Sequence, residues 1–163
     1  MQPAPSPETL SRAHYLRGRI AADRDEPNRL RSETAALGEP SFPGLKADRF
    51  ELTGRLAMLE ERWDDAVTVL DEAARLRAES GNYRLMAVTL AASAQACERA
   101  ERFEDAAYRY LRAARSAVLS EDMKRAAAWL QEAERLAQQA GSESILEETR
   151  RFQALLSVES QPQ

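Results

Sequence analysis

Two stretches of this chain write the same phrase, RWDDAVTVLDEAA at 62 to 74 and RFEDAAYRYLRAA at 102 to 114. Each sets an Arg, a large aromatic, an acid, an Asp and an Ala in order, with another Ala eight positions beyond the first. A phrase repeated 40 residues apart constrains the fold strongly. A unit of that size cannot bury its apolar face alone, so each copy must pack on its neighbour. Within the first copy Trp63, Ala66, Leu70 and Ala73 recur at spacings of three and four, which places them on one helix face. Phe103, Ala106, Tyr110 and Ala113 do the same in the second. Ala lets a neighbouring backbone approach while the larger side chain fills the space beside it.

The rest of the chain reads as helix too. No proline stands between Pro43 and Pro162, and Ile, Val and Thr together supply 13 residues, so Ala, Leu, Glu, Arg and Gln set the propensity. The fold class is therefore all-α. Breaks predict helices over about 45 to 60, 63 to 80, 82 to 100, 103 to 119, 123 to 140 and 144 to 158. Gly81 stops one helix and Asn82 begins the next, Gly141 ends the fifth of the six, and Ser144 with Glu147 makes a capping-box pattern for the last. Upstream, Ser6 caps a helix that has Pro7 in its first turn and runs to about residue 25, and a shorter piece covers 28 to 37. GEPSFPG at 38 to 44 is a spacer that bends the array or inserts Phe42 into a groove. Short turns make neighbouring helices antiparallel. The expected organisation is a flexible leader at 1 to 5, one helical domain at 6 to 158 and a disordered tail at 159 to 163.

The helix before each phrase carries a second signal. LTGRLA at 52 to 57 puts Gly54 nine residues before Trp63, Ala94 stands nine before Phe103, and LRGRIA at 16 to 21 repeats the wording around Gly18. With Trp63, Ala66, Leu70 and Ala73, and with Phe103, Ala106, Tyr110 and Ala113, these positions resemble the tetratricopeptide repeat family. The resemblance covers 45 to 120 and continues with fewer matches to 158. The period of 40 exceeds the usual ~34, and ESGN stands where a closing proline is common, so this looks like a longer-helix variety.

The resemblance implies antiparallel helix-pair repeats stacked as an α-α superhelix, a solenoid, with a final helix acting as polar cap. Ile145, Thr149, Phe152 and Leu156 share one face of that helix, opposed by Glu147, Glu148, Arg150 and Arg151. It also implies a non-catalytic scaffold that binds a protein or peptide segment along the first helices, on a concave side. The matching positions are Arg12, Tyr15 and Arg19; Glu51, Arg55, Met58 and Leu59; Gln95, Glu98 and Arg99; and Gln131 and Arg135. Arg19, Arg55 and Arg135 recur at one equivalent place, a ladder suited to carboxylates. The Lys/Asn clamp of chaperone-binding members is replaced by Tyr15, Glu51 and Ala91.

Chemistry elsewhere is sparse. The net charge of -4 with intermixed Arg gives no clustered positive excess, so nucleic acid is not an expected partner. The longest nearly apolar run, LMAVTLAASA at 85 to 94, falls short of the ~20 residues a transmembrane helix needs. One cysteine, Cys97, and one histidine, His14, assemble neither an intrachain disulfide nor a zinc set. Cys97 reads as a buried inert thiol and His14 as a surface or groove residue. No phosphate-cradling glycine motif occurs, and acid pairs such as Asp64-Asp65, Glu104-Asp105 and Glu121-Asp122 sit where they offset helix dipoles. We therefore expect no cofactor, no metal and no catalysis. The leader MQPAPSPE is either a tether left after removal of a secretory or lipoprotein signal or an ordinary N-terminus. Cytoplasm and cell envelope both stay open, and an envelope assembly or export accessory is the alternative function, ahead of a small-molecule binder. Self-association is expected, if anywhere, around 28 to 44.

Overall fold

A computed structural model describes residues 1–39 and 42–159, and among these the chain is helical without strands. Eight helices follow one another: α1 (Pro7–Asp23), α2 (Pro27–Ala36), α3 (Pro43–Leu59), α4 (Trp63–Glu79), α5 (Tyr83–Arg99), α6 (Phe103–Leu119), α7 (Met123–Ala140) and α8 (Glu143–Glu159). Consecutive helices pack as pairs, as expected for a helical repeat array.

The first three helices all open on a proline at their first position. Pro has no N–H to leave unsatisfied there, and its fixed φ already suits the helix. This moves the start of α3 upstream of the expected residue 45, into the spacer. Phe42 becomes its cap residue and remains 45% exposed. Residues 40 and 41 of the spacer lie outside the described residues, as do 160–163 of the expected tail. Side-chain caps close three other starts: Ser6 Oγ accepts from the Thr9 N–H at 3.2 Å, Asn82 Oδ1 from Leu85 at 3.2 Å and Asp122 Oδ1 from Arg125 at 3.1 Å. The cap place of α8 falls on Ser142, whose carbonyl accepts from the Leu146 N–H at 3.0 Å. Ser144 therefore lies inside the first turn, and the expected capping box is not used.

Helix ends obey one rule. A left-handed residue follows each of the first seven helices, with φ of 57° at Asp25, 64° at Gly38, 57° at Glu61, 71° at Gly81, 60° at Glu101, 62° at Glu121 and 68° at Gly141. Paired bonds accompany it: the Glu61 N–H reaches Met58 O at 3.1 Å and the Arg62 N–H reaches Ala57 O at 2.8 Å, with the same pattern at Glu101–Arg102 and Glu121–Asp122. From 61 onward these residues fall every 20 positions. The repeat is thus built from 20-residue arms, of which the sequence marks only two by glycine.

The sequence reading treats 6–158 as one domain; contacts divide the chain into two compact units, Met1–Ser80 and Gly81–Gln163. In the first, α1 packs on α2 and α3, α2 on α3, and α3 on α4. Two glycines set the separations. A Cβ on Gly18 would lie 2.6 Å from Leu52 Cδ1, and one on Gly54 would lie 2.5 Å from Leu70 Cγ. Leu52 and Leu70 are fully buried in those seats, and Tyr15, Ala21, Leu30 and Leu37 complete a core with Leu52. In the second unit α6 packs against α5, α7 and α8, and α7 against α8. There Ala87, Ala117 and Ala126 meet in a cluster with Val118 and Trp129 against it, while Leu90, Leu111, Leu130 and Leu136 are buried. Ala66, Ala94 and Ala106, the small residues of the repeat phrase, are all fully buried.

Candidate functional site

In the first unit the expected binding residues converge, but inward. Tyr15 of α1 and Glu51 of α3 occupy equivalent places on successive first helices, which brings them together: the Tyr15 hydroxyl donates to Glu51 Oε2. Arg77 of α4 sits 2.8 Å from the same carboxylate oxygen through Nη1, and its Nη2 donates to Tyr15 Oη at 3.1 Å and to Asp48 Oδ1 at 3.0 Å. Its guanidinium carbon lies 5.6 Å from the Tyr15 ring centroid, within cation–π range. Arg55 donates to Glu51 Oε1 through Nε at 3.0 Å and Nη2 at 2.9 Å, and Arg19 approaches that oxygen at 3.9 Å. Both oxygens of Glu51 are thereby filled.

Glu51 is 0% exposed, Arg77 2% and Tyr15 4%. Burial alone pushes the Glu51 carboxyl up, but Arg77, Arg55, the Tyr15 hydroxyl and Arg19 outweigh it and hold it down to about 2. Burial, reinforced by the Glu51 charge, raises the Tyr15 hydroxyl to about 12. Burial also raises Asp48, against the pull of Arg77. The cluster is therefore ionic, with its charges paired internally. Tyr15 and Glu51 are not on an open face, which corrects the expectation that they meet a partner. Arg19 and Arg55 are half-buried and directed at Glu51, Arg55 within hydrogen-bond distance and Arg19 at 3.9 Å, so in this unit the arginine ladder faces an internal carboxylate. Leu59 packs against the core, Met58 is half-buried, and Arg12 is exposed.

Sequence reading missed Arg77 and Asp48. The signal for Arg77 was present: it continues the stripe Ala66, Leu70, Ala73 at the same spacing, so a charged residue stood on a core face and needed a buried counter-charge. His14, expected at the surface or in a groove, is half-buried with Nδ1 2.6 Å from Glu33 Oε2, which ties α1 to α2.

The second unit presents its set outward. Gln95 and Arg99 of α5 and Gln131 and Arg135 of α7 are exposed. Arg135 Nη2 donates to Glu98 Oε1 of α5 at 2.7 Å and to Glu132 Oε2 at 2.6 Å, bridging two helices that both pack against α6. Beneath them Tyr110 is buried, its hydroxyl pushed up to about 12 by burial and by the Glu98 and Glu132 charges, with Gln95 hydrogen-bonded to it. Cys97 is buried. Among the described residues no group of three His, Cys, Asp or Glu side chains is placed to hold a metal ion, and no helix is long and apolar enough to cross a membrane.

Compared with known proteins, the chain matches no family model, no curated protein and no solved structure. The chemistry of the residues therefore has to carry the functional reading.

Proposed function

We propose that the chain is a non-catalytic scaffold of the tetratricopeptide-like kind, which holds a protein or peptide segment against first helices of its pairs. The observation that supports this reading is the α5/α7 face. The Arg135–Glu98 bond joins the two helices, and Gln95, Arg99, Gln131 and Arg135 line them as exposed side chains. Gln amides both donate and accept, which suits the backbone of an extended segment, and carboxylates on it would exchange for Glu98 and Glu132 at the Arg135 guanidinium, whose Nε and Nη2 those side chains hold. α5 and α7 both pack along α6, which fixes the spacing of these groups, so the face is preorganised.

A peptide array spanning acidic, neutral and basic sequences tests the reading. Acidic segments should be retained, and the double variant R99A/R135A should weaken retention about tenfold or more with helicity unchanged. Retention that ignores both arginines, or no retention of any segment, refutes this face.

A further inference from the structure

Three arginines of the first unit stand beside its buried carboxylate with donors to spare. Arg12 and Arg19 lie about 10 Å apart along α1, one turn to either side of Tyr15, and Arg55 lies one turn beyond Glu51 on α3. Arg55 bonds Glu51 Oε1 through Nε and Nη2. The Arg19 side chain is only 26% exposed, yet among the described residues it makes no hydrogen bond: its one ion pair is the approach to the same oxygen at 3.9 Å. Arg12 is exposed and makes neither hydrogen bond nor ion pair among the described residues, although its charge acts on Asp48. A guanidinium carries five N–H donors, and donors drawn out of water without an acceptor are costly. Arg19 is thus placed for a ligand that accepts.

The balance of charge indicates which kind. Arg77 bonds both Asp48 and Glu51 and so cancels one of their two negative charges. Arg12, Arg19 and Arg55 share the other, three cations against one anion, an excess of two positive charges. Glu8 and Asp23, the acids one turn out from Arg12 and Arg19 on α1, are exposed and pair with neither. A carboxylate would cancel one charge of that excess. A phosphate monoester carries close to two, and its three acceptor oxygens offer one to each guanidinium.

We propose that Arg12, Arg19 and Arg55 form a seat for a phosphate dianion, free or carried as a monoester, on the α1/α3 side of the first unit. Arg19 and Arg55 meet it from the two helices, and the exposed Arg12 closes on it from solvent. Glu51 holds Arg55 from beneath, so part of the seat exists before the ion arrives. The like charge of Glu51 opposes the ion, but the three guanidiniums outnumber it. The seat belongs to the first unit and does not rest on peptide binding at the α5/α7 face.

Titration of the full chain with inorganic phosphate, phosphoserine or acetate, each from about 0.1 to 20 mM at an ionic strength fixed with sodium chloride, tests it through the arginine Nε–Hε NMR signals. Those of Arg19 and Arg55 should shift and saturate near about 1 mM with at least one of the two phosphates, and the tighter of them names the source. Acetate should leave them in place. R19Q should weaken binding about tenfold, the size of a charge-assisted hydrogen bond, and R12Q about fivefold, the size of an exposed ion pair. Without phosphate both variants should melt as the wild type does, because neither side chain gives up a hydrogen bond. Signals that drift linearly with both phosphates, acetate that binds as tightly as they do, or an affinity indifferent to R12Q/R19Q overturns the proposal.

Discussion

Forty residues on from Glu51 and Arg77 of the first unit stand Ala91 and Ala117 of the second, and all four are buried. The hairpin frame is the same, with 17-residue helices α3, α4, α5 and α6 and a left-handed residue at each helix end. The filling differs. One unit closes its interior with a carboxylate, a guanidinium and a phenol drawn from three helices; the other lets small side chains bring the helices together. An ion pair of this kind is costly to desolvate and adds little net stability, but it is intolerant of losing one member. It therefore makes α1, α3 and α4 mutually dependent in a way that alanine contacts do not.

The sharpest way to break the contrast is R77M, which leaves Glu51 buried with its main counter-charge gone. The expected cost is about 3 to 5 kcal/mol in denaturant unfolding, and hydrogen exchange should show the loss in α1, α3 and α4 while α6 and α7 keep their protection. Adding E51M should return most of it, because the pair is then replaced by apolar volume. A double variant as damaged as the single one would show that packing, not charge, dominates there.

Acid offers the same test without mutation. Because the Glu51 carboxyl is held down to about 2 in the folded chain, from an ordinary 4.5, its contribution is complete above pH 4.5 and is lost as the pH falls toward 2. The loss, on the order of 3 kcal/mol at the end of the window, should appear in the first unit alone. Alkali will not discriminate, since Tyr15 and Tyr110, one in each unit, are both raised to about 12. Uniform exchange across both units at pH 3 would remove the distinction.

Overpacking should treat the units alike. Ala66 and Ala106 are both fully buried, so A66L and A106L should each cost about 1 to 3 kcal/mol in thermal unfolding. The smallest expected effect is a gain. Glu61 and Glu101 adopt a left-handed backbone that glycine enters freely, and E61G and E101G should each raise stability by about 0.5 to 1 kcal/mol. A fall in melting temperature would mean that those carboxylates make contacts worth more than the backbone relief.

The all-helical fold and its pairing were readable because the repeat phrase places Ala and aromatic residues on one face, and Gly54 and Gly18 mark close approach. The helices that start at Pro27 and Pro43 begin one and two residues upstream of the expected 28 and 45, because proline serves there as a first residue with no N–H to satisfy. The candidate site was legible as positions rather than as environments. Spacing along a helix fixes which residues share a face, but whether that face meets water depends on what lies across from it. For Tyr15 and Glu51 the deciding partner was Arg77, 26 residues beyond Glu51 and on another helix. No local pattern announces such a meeting, although a cation on the core stripe of α4 hinted at one.

The 20-residue arm has a consequence for how this chain can change. One residue inserted within a helix rotates everything beyond it by about 100°, turning the core face toward water. Growth and loss are therefore confined to whole arms, and in practice to pairs of them, because an odd number would reverse the direction of every helix downstream. The matching backbone geometry at residues 61, 81, 101, 121 and 141 provides ready junctions for such cut-and-paste, so lineages carrying this fold should differ in length by multiples of 40 far more often than by single residues.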